Sequence, residues 1–146
     1  MAGELRAIWI KRMARGPMDP VDKGTLIENR GLHTNKDQGG KRQVTLIDEN
    51  VWSELMDQLN ADLDPSARRA NLMLKGINLE KSRGRHLQIG RTMIKIYGET
   101  KPCERMDEAL PGLKDAMYEN WKGGAYGVVV KGGEISTGDK AEWVEI

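Results

Sequence analysis

The chain has 146 residues, in which 23 Lys and Arg nearly balance 22 Asp and Glu. This balance argues against a dedicated nucleic-acid binder and against recruitment to an anionic membrane surface. A chain of this length is long enough to bury a core, and we expect one domain over residues 1–146. The single cysteine excludes an internal disulfide framework and suits a reducing compartment, so we expect a soluble, cytoplasmic protein.

Neither targeting nor membrane insertion is indicated by the sequence. Residues 1–6 lack the basic start and apolar core of a secretory signal. No apolar run approaches the roughly 20 residues that a membrane-spanning helix needs. Seventeen glycines are scattered among short apolar segments, which favours strands joined by tight turns over a helical bundle.

The first third of the chain is predicted to form strands followed by a helix. Apolar residues alternate or cluster over residues 5–11, 24–28 and 42–48, and we interpret each segment as a strand. The prolines of residues 12–20 predict a loop between the first two strands. Asp48 is placed to cap a following helix, because its carboxylate can reach the free N–H groups of the first turn.

That helix is predicted over residues 49–60, and it carries a single apolar stripe that we assign to core packing. Beyond it, Arg68, Arg69 and Asn71 stand just ahead of a short apolar run at residues 72–74. Guanidinium groups form paired hydrogen bonds to phosphate oxygens, so this arrangement can hold a phosphate. The alternative is that these charges are solvated or pair with nearby aspartates.

A predicted hairpin over residues 87–97 delivers the chain to Cys103, the only cysteine. Cys103 follows Pro102 and stands between Lys101 and Arg105, where a strand is predicted to give way to a helix. Nearby cations and a helix N-terminus favour the thiolate, which is the form that attacks sulfur or carbon and binds soft metals. The alternative is that Cys103 is a small buried hydrophobe.

The remainder of the chain is predicted to hold two short helices and three closing strands. The helices are predicted over residues 104–110 and 113–120. Residues 125–130 are predicted as a strand, and residues 134–136 as a strand that returns after a turn. The last strand is predicted over residues 141–145. Short strands separated by glycine turns predict a mainly β protein, a closed or nearly closed β-barrel with a few short peripheral helices.

A series of short motifs, in order from about Gly24 onward, resembles the MOSC domain family, named for the C-terminal domain of molybdenum cofactor sulfurase. The motifs are Arg42-Gln43-Val44-Thr45-Leu46-Ile47, Arg69-Ala70-Asn71-Leu72, Gly76-Ile77-Asn78-Leu79, the segment from Gly84 to Gly90, Pro102-Cys103 and the glycine-rich tail from Gly123 to Asp139. Two positions depart from the family pattern. Asn35 stands where many relatives have a carboxylate, and Thr100 stands where some have a second cysteine.

The resemblance implies a β-barrel like the one inserted in pyruvate kinase and a cysteine that handles sulfur or molybdenum. By similarity to the amidoxime-reducing members, Cys103 is the candidate molybdenum ligand. Arg69 is then the candidate for holding the pterin phosphate of molybdenum cofactor, with Asn71, Arg42 and Gln43 in support. The candidate catalytic residues are Cys103 itself, with Lys101 and Arg105 to favour its thiolate.

Two functions follow as hypotheses from the resemblance. The chain either binds molybdenum cofactor or carries sulfur as a persulfide on Cys103, received from a donor protein such as a cysteine desulfurase. If it is an enzyme, it is a sulfur transferase or a component of a molybdenum-dependent reductase. The family is also associated with pyridoxal phosphate, but no lysine is marked as a Schiff-base partner. The competing hypothesis is a non-catalytic binding or scaffold module, for an anionic small ligand or a protein partner, with a structural cysteine.

Overall fold

The computed structural model describes residues 3–145. Within them the strands are β1 (Gly3–Lys11), β2 (Met18–Val21), β3 (Lys23–Ile27), β4 (Gly31–Leu32), β5 (Val44–Asp48), β6 (Leu72–Lys75), β7 (His86–Ile89), β8 (Thr92–Glu99), β9 (Ala125–Lys131), β10 (Gly133–Ser136) and β11 (Lys140–Val144). The helices are α1 (Glu49–Leu59), a 3-10 helix (Pro65–Arg68), α2 (Glu104–Ala109) and α3 (Leu113–Met117). None of the helices described in residues 3–145 has the length and apolar character to cross a bilayer.

Seven of these strands form a closed barrel in the order β1-β11-β7-β8-β9-β5-β6, and then β1 again. Strand β1 closes the barrel because it pairs with β6 along one edge and, through Gly3 and Glu4, with β11 along the other. From Ile8 onward β1 also pairs with β2, which extends the sheet beyond the barrel. The predicted mainly β fold, with a closed barrel and short peripheral helices, is confirmed.

Two local predictions are corrected by the strand pairing. Strand β10 does not return onto β9 but pairs with β3, where Glu134 lies opposite Thr25. Gly132 allows this change of direction, because a Cβ there would lie 2.6 Å from the Leu26 carbonyl oxygen. The predicted loop over residues 12–20 also ends early, since β2 begins at Met18. This short edge strand accommodates its internal proline.

Strands β5 and β6 run parallel, with Leu46 opposite Leu72, and α1 and the 3-10 helix form the crossover between them. Asp48 caps α1 as predicted, because its carboxylate accepts hydrogen bonds from the N–H groups of Asn50 and Val51 at 3.1 and 3.4 Å. Burial raises the pKa of the Asp48 carboxyl above its ordinary value, although these hydrogen bonds oppose the shift. Because parallel strands start at the same edge, the residues preceding β5 and β6 lie close together.

The barrel interior is filled by aliphatic side chains from every barrel strand. Buried members include Leu5 of β1, Leu46 of β5, Leu72 of β6 and Ile94 of β8. The helices form a separate apolar cluster in which the predicted stripe of α1 packs against α2 and α3, and which contains Trp52, Leu55, Met56, Met106, Leu113 and Met117. The barrel is therefore a packed scaffold, and α1, α2 and α3 pack against one another in a second cluster.

Candidate functional site

A cavity of about 620 Å³ lies beside the barrel, where the end of one strand meets several connecting segments. Its lining comes from the end of β1, the loop before β5, the segment between the 3-10 helix and β6, and the connection from β8 to α2. Ligand sites in proteins commonly fall between about 300 and 1,000 Å³. We call this space the basic cavity, because six basic residues and one acidic residue line it: Lys11, Lys36, Arg42, Arg68, Arg69 and Arg105, against Asp37.

Cys103 lines the basic cavity and is exposed. It occupies the N-cap position of α2 with an extended backbone, and its carbonyl accepts a hydrogen bond from the Met106 N–H at 2.9 Å. The buried Pro102 anchors the chain on its N-terminal side. An exposed thiol in a cavity differs from the small buried hydrophobe that the alternative interpretation required. Arg105, two residues along, lines the same cavity.

Arg68 connects Thr100, three residues before Cys103, to Gly123. Its side chain is buried, with Nε donating to the Gly123 carbonyl at 2.9 Å and Nη2 to the Thr100 carbonyl at 2.9 Å. Burial lowers the pKa of the Arg68 guanidinium, the negative charge of an ionised Cys103 opposes that shift, and the charge of Arg42 adds to it. Arginine nevertheless keeps its charge in proteins. Arg68 therefore both bridges two segments and places a cation beside the thiol.

Arg69, the next residue, has a different environment. Its backbone is left-handed, with φ of 63°, and it ends the 3-10 helix. Its side chain lines the basic cavity, where Nη2 makes one long hydrogen bond of 3.4 Å to the Ala14 carbonyl. The guanidinium of Arg69 is therefore largely uncommitted, whereas that of Arg68 is occupied by two backbone carbonyls.

Asn71 joins three segments at the wall of the cavity. Its Oδ1 accepts from the N–H of Thr45 at 3.2 Å, and its Nδ2 donates to the Trp9 carbonyl at 3.2 Å and to Asn35 Oδ1 at 3.0 Å. Asn71 is 4% exposed and its amide is fully used within the protein. Its position in the structure is that of a brace for β1, β5 and the loop that carries Asn35.

Asn35 works as a hydrogen-bond acceptor. Its Oδ1 takes hydrogen bonds from the Lys11 N–H at 2.8 Å and from Asn71 Nδ2 at 3.0 Å. The same loop is held by an ion pair of 2.6 Å between Lys11 Nζ and Asp37, and by Gln38 Nε2, which donates to the Leu32 carbonyl at 2.8 Å. The loop is thus fixed before any ligand binds.

The structure brings five of the seven predicted site residues to one cavity: Cys103, Arg105, Arg69, Asn71 and Arg42. Within the cavity wall, the Arg42 guanidinium also stacks over the ring of Tyr126, at 4.8 Å from the ring centroid. This stacking orients the guanidinium and leaves its N–H edge available.

The other two predicted residues, Gln43 and Lys101, do not line the cavity. Gln43 is 1% exposed, and its amide bridges the Gly40 carbonyl at 2.9 Å and the Val129 N–H at 3.1 Å. Lys101 donates to the Tyr118 carbonyl at 3.0 Å and lies over the Tyr118 ring at 4.3 Å. Arg68 lines the same cavity as Cys103, whereas the sequence neighbour Lys101 does not.

Sequence reasoning gave no role to three further lining residues, Lys11, Lys36 and Thr100, and it named Arg68 only as part of a segment that can hold a phosphate. The Arg68-Arg69 pair was a visible signal, but residue type could not show which guanidinium would be buried. Thr100 lies in the connection from β8 to α2. Its Oγ1 is buried and has no hydrogen-bond partner within residues 3–145.

The glycines before β9 explain how the cavity floor closes. A Cβ on Gly123 would collide with the Thr100 carbonyl oxygen, and one on Gly124, whose φ is 101°, would collide with the Leu46 carbonyl oxygen. The two glycines therefore allow the segment before β9 to lie close to the backbone of Thr100 and Leu46. The N–H of Thr100 donates to the Gly124 carbonyl at 2.9 Å and completes the contact.

Comparison with known proteins identifies the family. The MOSC domain profile matches residues 31–142, which is well over half of the sequence. The chain belongs to the MOSC domain family. This membership is consistent with a role related to molybdenum cofactor. No curated protein matches the sequence.

Solved structures agree with the fold. The YuaD protein from Bacillus subtilis is similar with a TM-score of 0.80 and 17% identity, over 98% of this chain and 96% of that one. YiiM from Geobacillus stearothermophilus gives a TM-score of 0.77 and 16% identity, over 98% and 75% of the two chains. YiiM from Escherichia coli gives 0.73 and 17%, over 100% and 71%. At these identities the similarity establishes the fold.

Proposed function

We propose that this chain binds molybdenum cofactor in the basic cavity and presents the Cys103 thiolate to the metal. The observation that carries the proposal is the meeting of an exposed cysteine and six basic side chains in one cavity of a MOSC domain. The cavity concentrates positive charge in a chain whose formal net charge is only +1. Such a field attracts an anionic ligand and orients it.

The residues present fit this group. Thr100 Oγ1, buried without a partner in the described part of the chain, can donate to an oxygen of a bound anion. Arg42, Arg69 and Lys36 line the same space and can neutralise a phosphate, which guanidinium groups bind through paired hydrogen bonds. A thiolate is a soft ligand that suits a metal already bound by sulfur.

Each side chain then has a distinct part. The cofactor supplies a redox-active metal when it is bound. Arg42, Arg69 and Lys36 would bind its anionic end, and Cys103 would hold the metal end. Arg68 would not contact the ligand through Nε or Nη2, because both donate to backbone carbonyls, but its positive charge lines the same cavity as Cys103. The braces at Asn35 and Asn71 would keep the anion site formed.

Sulfur transfer is the second candidate, and the exposure of Cys103 favours it. A donor protein such as a cysteine desulfurase would present a persulfide, and the Cys103 thiolate would attack its outer sulfur. The new S–S bond forms on Cys103 as the donor cysteine leaves as a thiolate, so no external oxidant is needed. Pyridoxal phosphate has no support from the comparisons, and we do not propose that it binds here.

The test uses full-length protein purified from a host that makes molybdenum cofactor. Metal analysis, pterin fluorescence and intact-mass measurement are applied to the natural chain, to Cys103→Ser and to Arg91→Gln. Arg91 lies in the β7–β8 turn away from the cavity lining, so Arg91→Gln controls for a substitution outside the site.

We expect molybdenum and pterin together in the natural chain and in Arg91→Gln, and loss of most molybdenum in Cys103→Ser. A mass increase of one sulfur on Cys103, without metal, would instead select the sulfur-transfer function. Absence of molybdenum, pterin and persulfide from the natural chain would refute both and favour the scaffold alternative.

A further inference from the structure

The basic cavity adjoins a second cavity, which we call the outer groove. The outer groove has a volume of about 510 Å³ and is lined by Met18, Ser66, Ala67, Arg69, Arg105, Met106, Glu108 and Ala109. Three of these residues, Arg69, Arg105 and Met106, also line the basic cavity. The two spaces therefore meet along a shared wall that contains two guanidinium groups, on the same side as Cys103.

Both shared arginines are available for a ligand. Arg69 makes only its long hydrogen bond of 3.4 Å, and Arg105 has no hydrogen bond or ion pair with any residue in the range 3–145. Arg68, by contrast, has a structural role, since it is buried and donates to two carbonyls at 2.9 Å. Two uncommitted guanidiniums at one junction form a site for an oxyanion.

Apart from Ser66 and Glu108, the rest of the outer groove is apolar. Met18 provides a partly exposed thioether side chain beside Ala67 and Ala109, whereas Met106 is 3% exposed and packs within the helical cluster. Methionine side chains adapt to ligand shape and contact aromatic rings favourably. The groove thus offers apolar surface beside two cations, which complements a ring that carries an anionic group.

We propose that the outer groove binds the ring of a small aromatic oxyanion, whose anionic group lies between Arg69 and Arg105. This places the anionic group at the wall shared with the basic cavity, which Cys103 also lines. The proposal rests on the proposed function, because it assigns a substrate class to the same site. It goes beyond that function in giving the substrate ring a surface outside the basic cavity, with Arg69 on the wall that the two spaces share.

The test compares phenyl phosphate with inorganic phosphate by isothermal titration calorimetry on the full chain. Burying part of a phenyl ring is expected to make phenyl phosphate about tenfold tighter than inorganic phosphate. Met18→Gln keeps the side-chain length but removes the apolar contact, and should reduce this advantage to less than about threefold. The affinity for inorganic phosphate should stay unchanged in Met18→Gln, which also verifies that the variant is folded.

Arg105→Gln should weaken both ligands, whereas the charge control Arg91→Gln should weaken neither. Equal affinities for the two ligands, or an advantage of phenyl phosphate that survives Met18→Gln, would overturn the proposal. So would unchanged binding in Arg105→Gln.

The outcome is separable from that of the proposed function. Cys103→Ser is expected to bind phenyl phosphate normally while it loses molybdenum. If the cofactor binds but phenyl phosphate shows no advantage, only the outer groove assignment fails. If phenyl phosphate behaves as expected but neither metal nor persulfide is found, only the proposed function fails.

Discussion

The barrel interior and the basic cavity are built from some of the same strands, yet they are held together by different interactions. Inside the barrel, aliphatic side chains from distant parts of the sequence pack together, and Leu5, Leu74, Ile94 and Ile96 are fully buried there. Around the cavity, a few polar side chains tie connecting segments to backbone groups, with Arg68 as the main example. Substitutions in the two regions should therefore be separable in their effects on stability and on binding.

The largest effect on stability is expected inside the barrel. Ile94→Ala should lower the free energy of unfolding by about 2–5 kcal/mol, because it leaves a cavity in a closely packed core. Ile94→Val, the matched control, should cost only about 0.5–1.5 kcal/mol. Urea denaturation measures both values. Phosphate affinity of the folded protein should not change in either variant, and a weakened affinity would contradict the separation of the two regions.

An intermediate effect is expected from the adjacent arginines. Arg68→Met should cost about 2–3 kcal/mol in unfolding free energy, because it removes the donors of the Gly123 and Thr100 carbonyls in a buried setting. It should also slow alkylation of Cys103 in native protein at neutral pH, since a cation beside the thiol is lost.

Arg69→Met provides the control for this prediction. It should change the unfolding free energy by no more than about 0.5 kcal/mol, because Arg69 makes a single long hydrogen bond. Phosphate affinity should fall in Arg69→Met. Equal losses of stability in Arg68→Met and Arg69→Met would contradict the assignment of a structural role to Arg68 and a ligand-binding role to Arg69.

A smaller effect is expected from Asn35→Asp, which changes charge without removing a hydrogen bond. Asn35→Asp keeps an acceptor for the Lys11 N–H and Asn71 Nδ2, but adds a negative charge to the cavity wall. Phosphate affinity, measured by calorimetry, should fall about threefold to tenfold through that charge. Asn35→Ala removes the acceptor instead and should cost about 1–3 kcal/mol of stability. Tighter phosphate binding in Asn35→Asp would contradict the electrostatic account.

The predictability of the two regions from sequence differs for a physical reason. Strands and the α1 cap follow from local patterns, such as the alternation in residues 42–48 and the carboxylate of Asp48, and these predictions hold. The pairing of β10 with β3 depends on contacts between distant segments, which no local pattern contains. Glycine turns predicted that the chain changes direction, but not which strand it joins.

Several residues of the cavity could be predicted from the sequence, but the positions of their side chains could not. The motif series located Cys103 and Arg69, yet it assigned Lys101 to the thiol because the two are close in sequence. In the structure Lys101 contacts Tyr118, and buried Arg68 takes the position beside Cys103. Which member of a pair of arginines is buried depends on the left-handed turn at Arg69, and residue type does not encode that turn.

X-ray absorption at the molybdenum edge tests the central claim most directly. It is measured on the natural chain and on Cys103→Ser, both purified from a host that makes the cofactor. The account predicts molybdenum in the natural chain with one more sulfur neighbour than any metal retained by Cys103→Ser. Molybdenum with the same sulfur environment in both proteins would contradict the claim that Cys103 is its ligand.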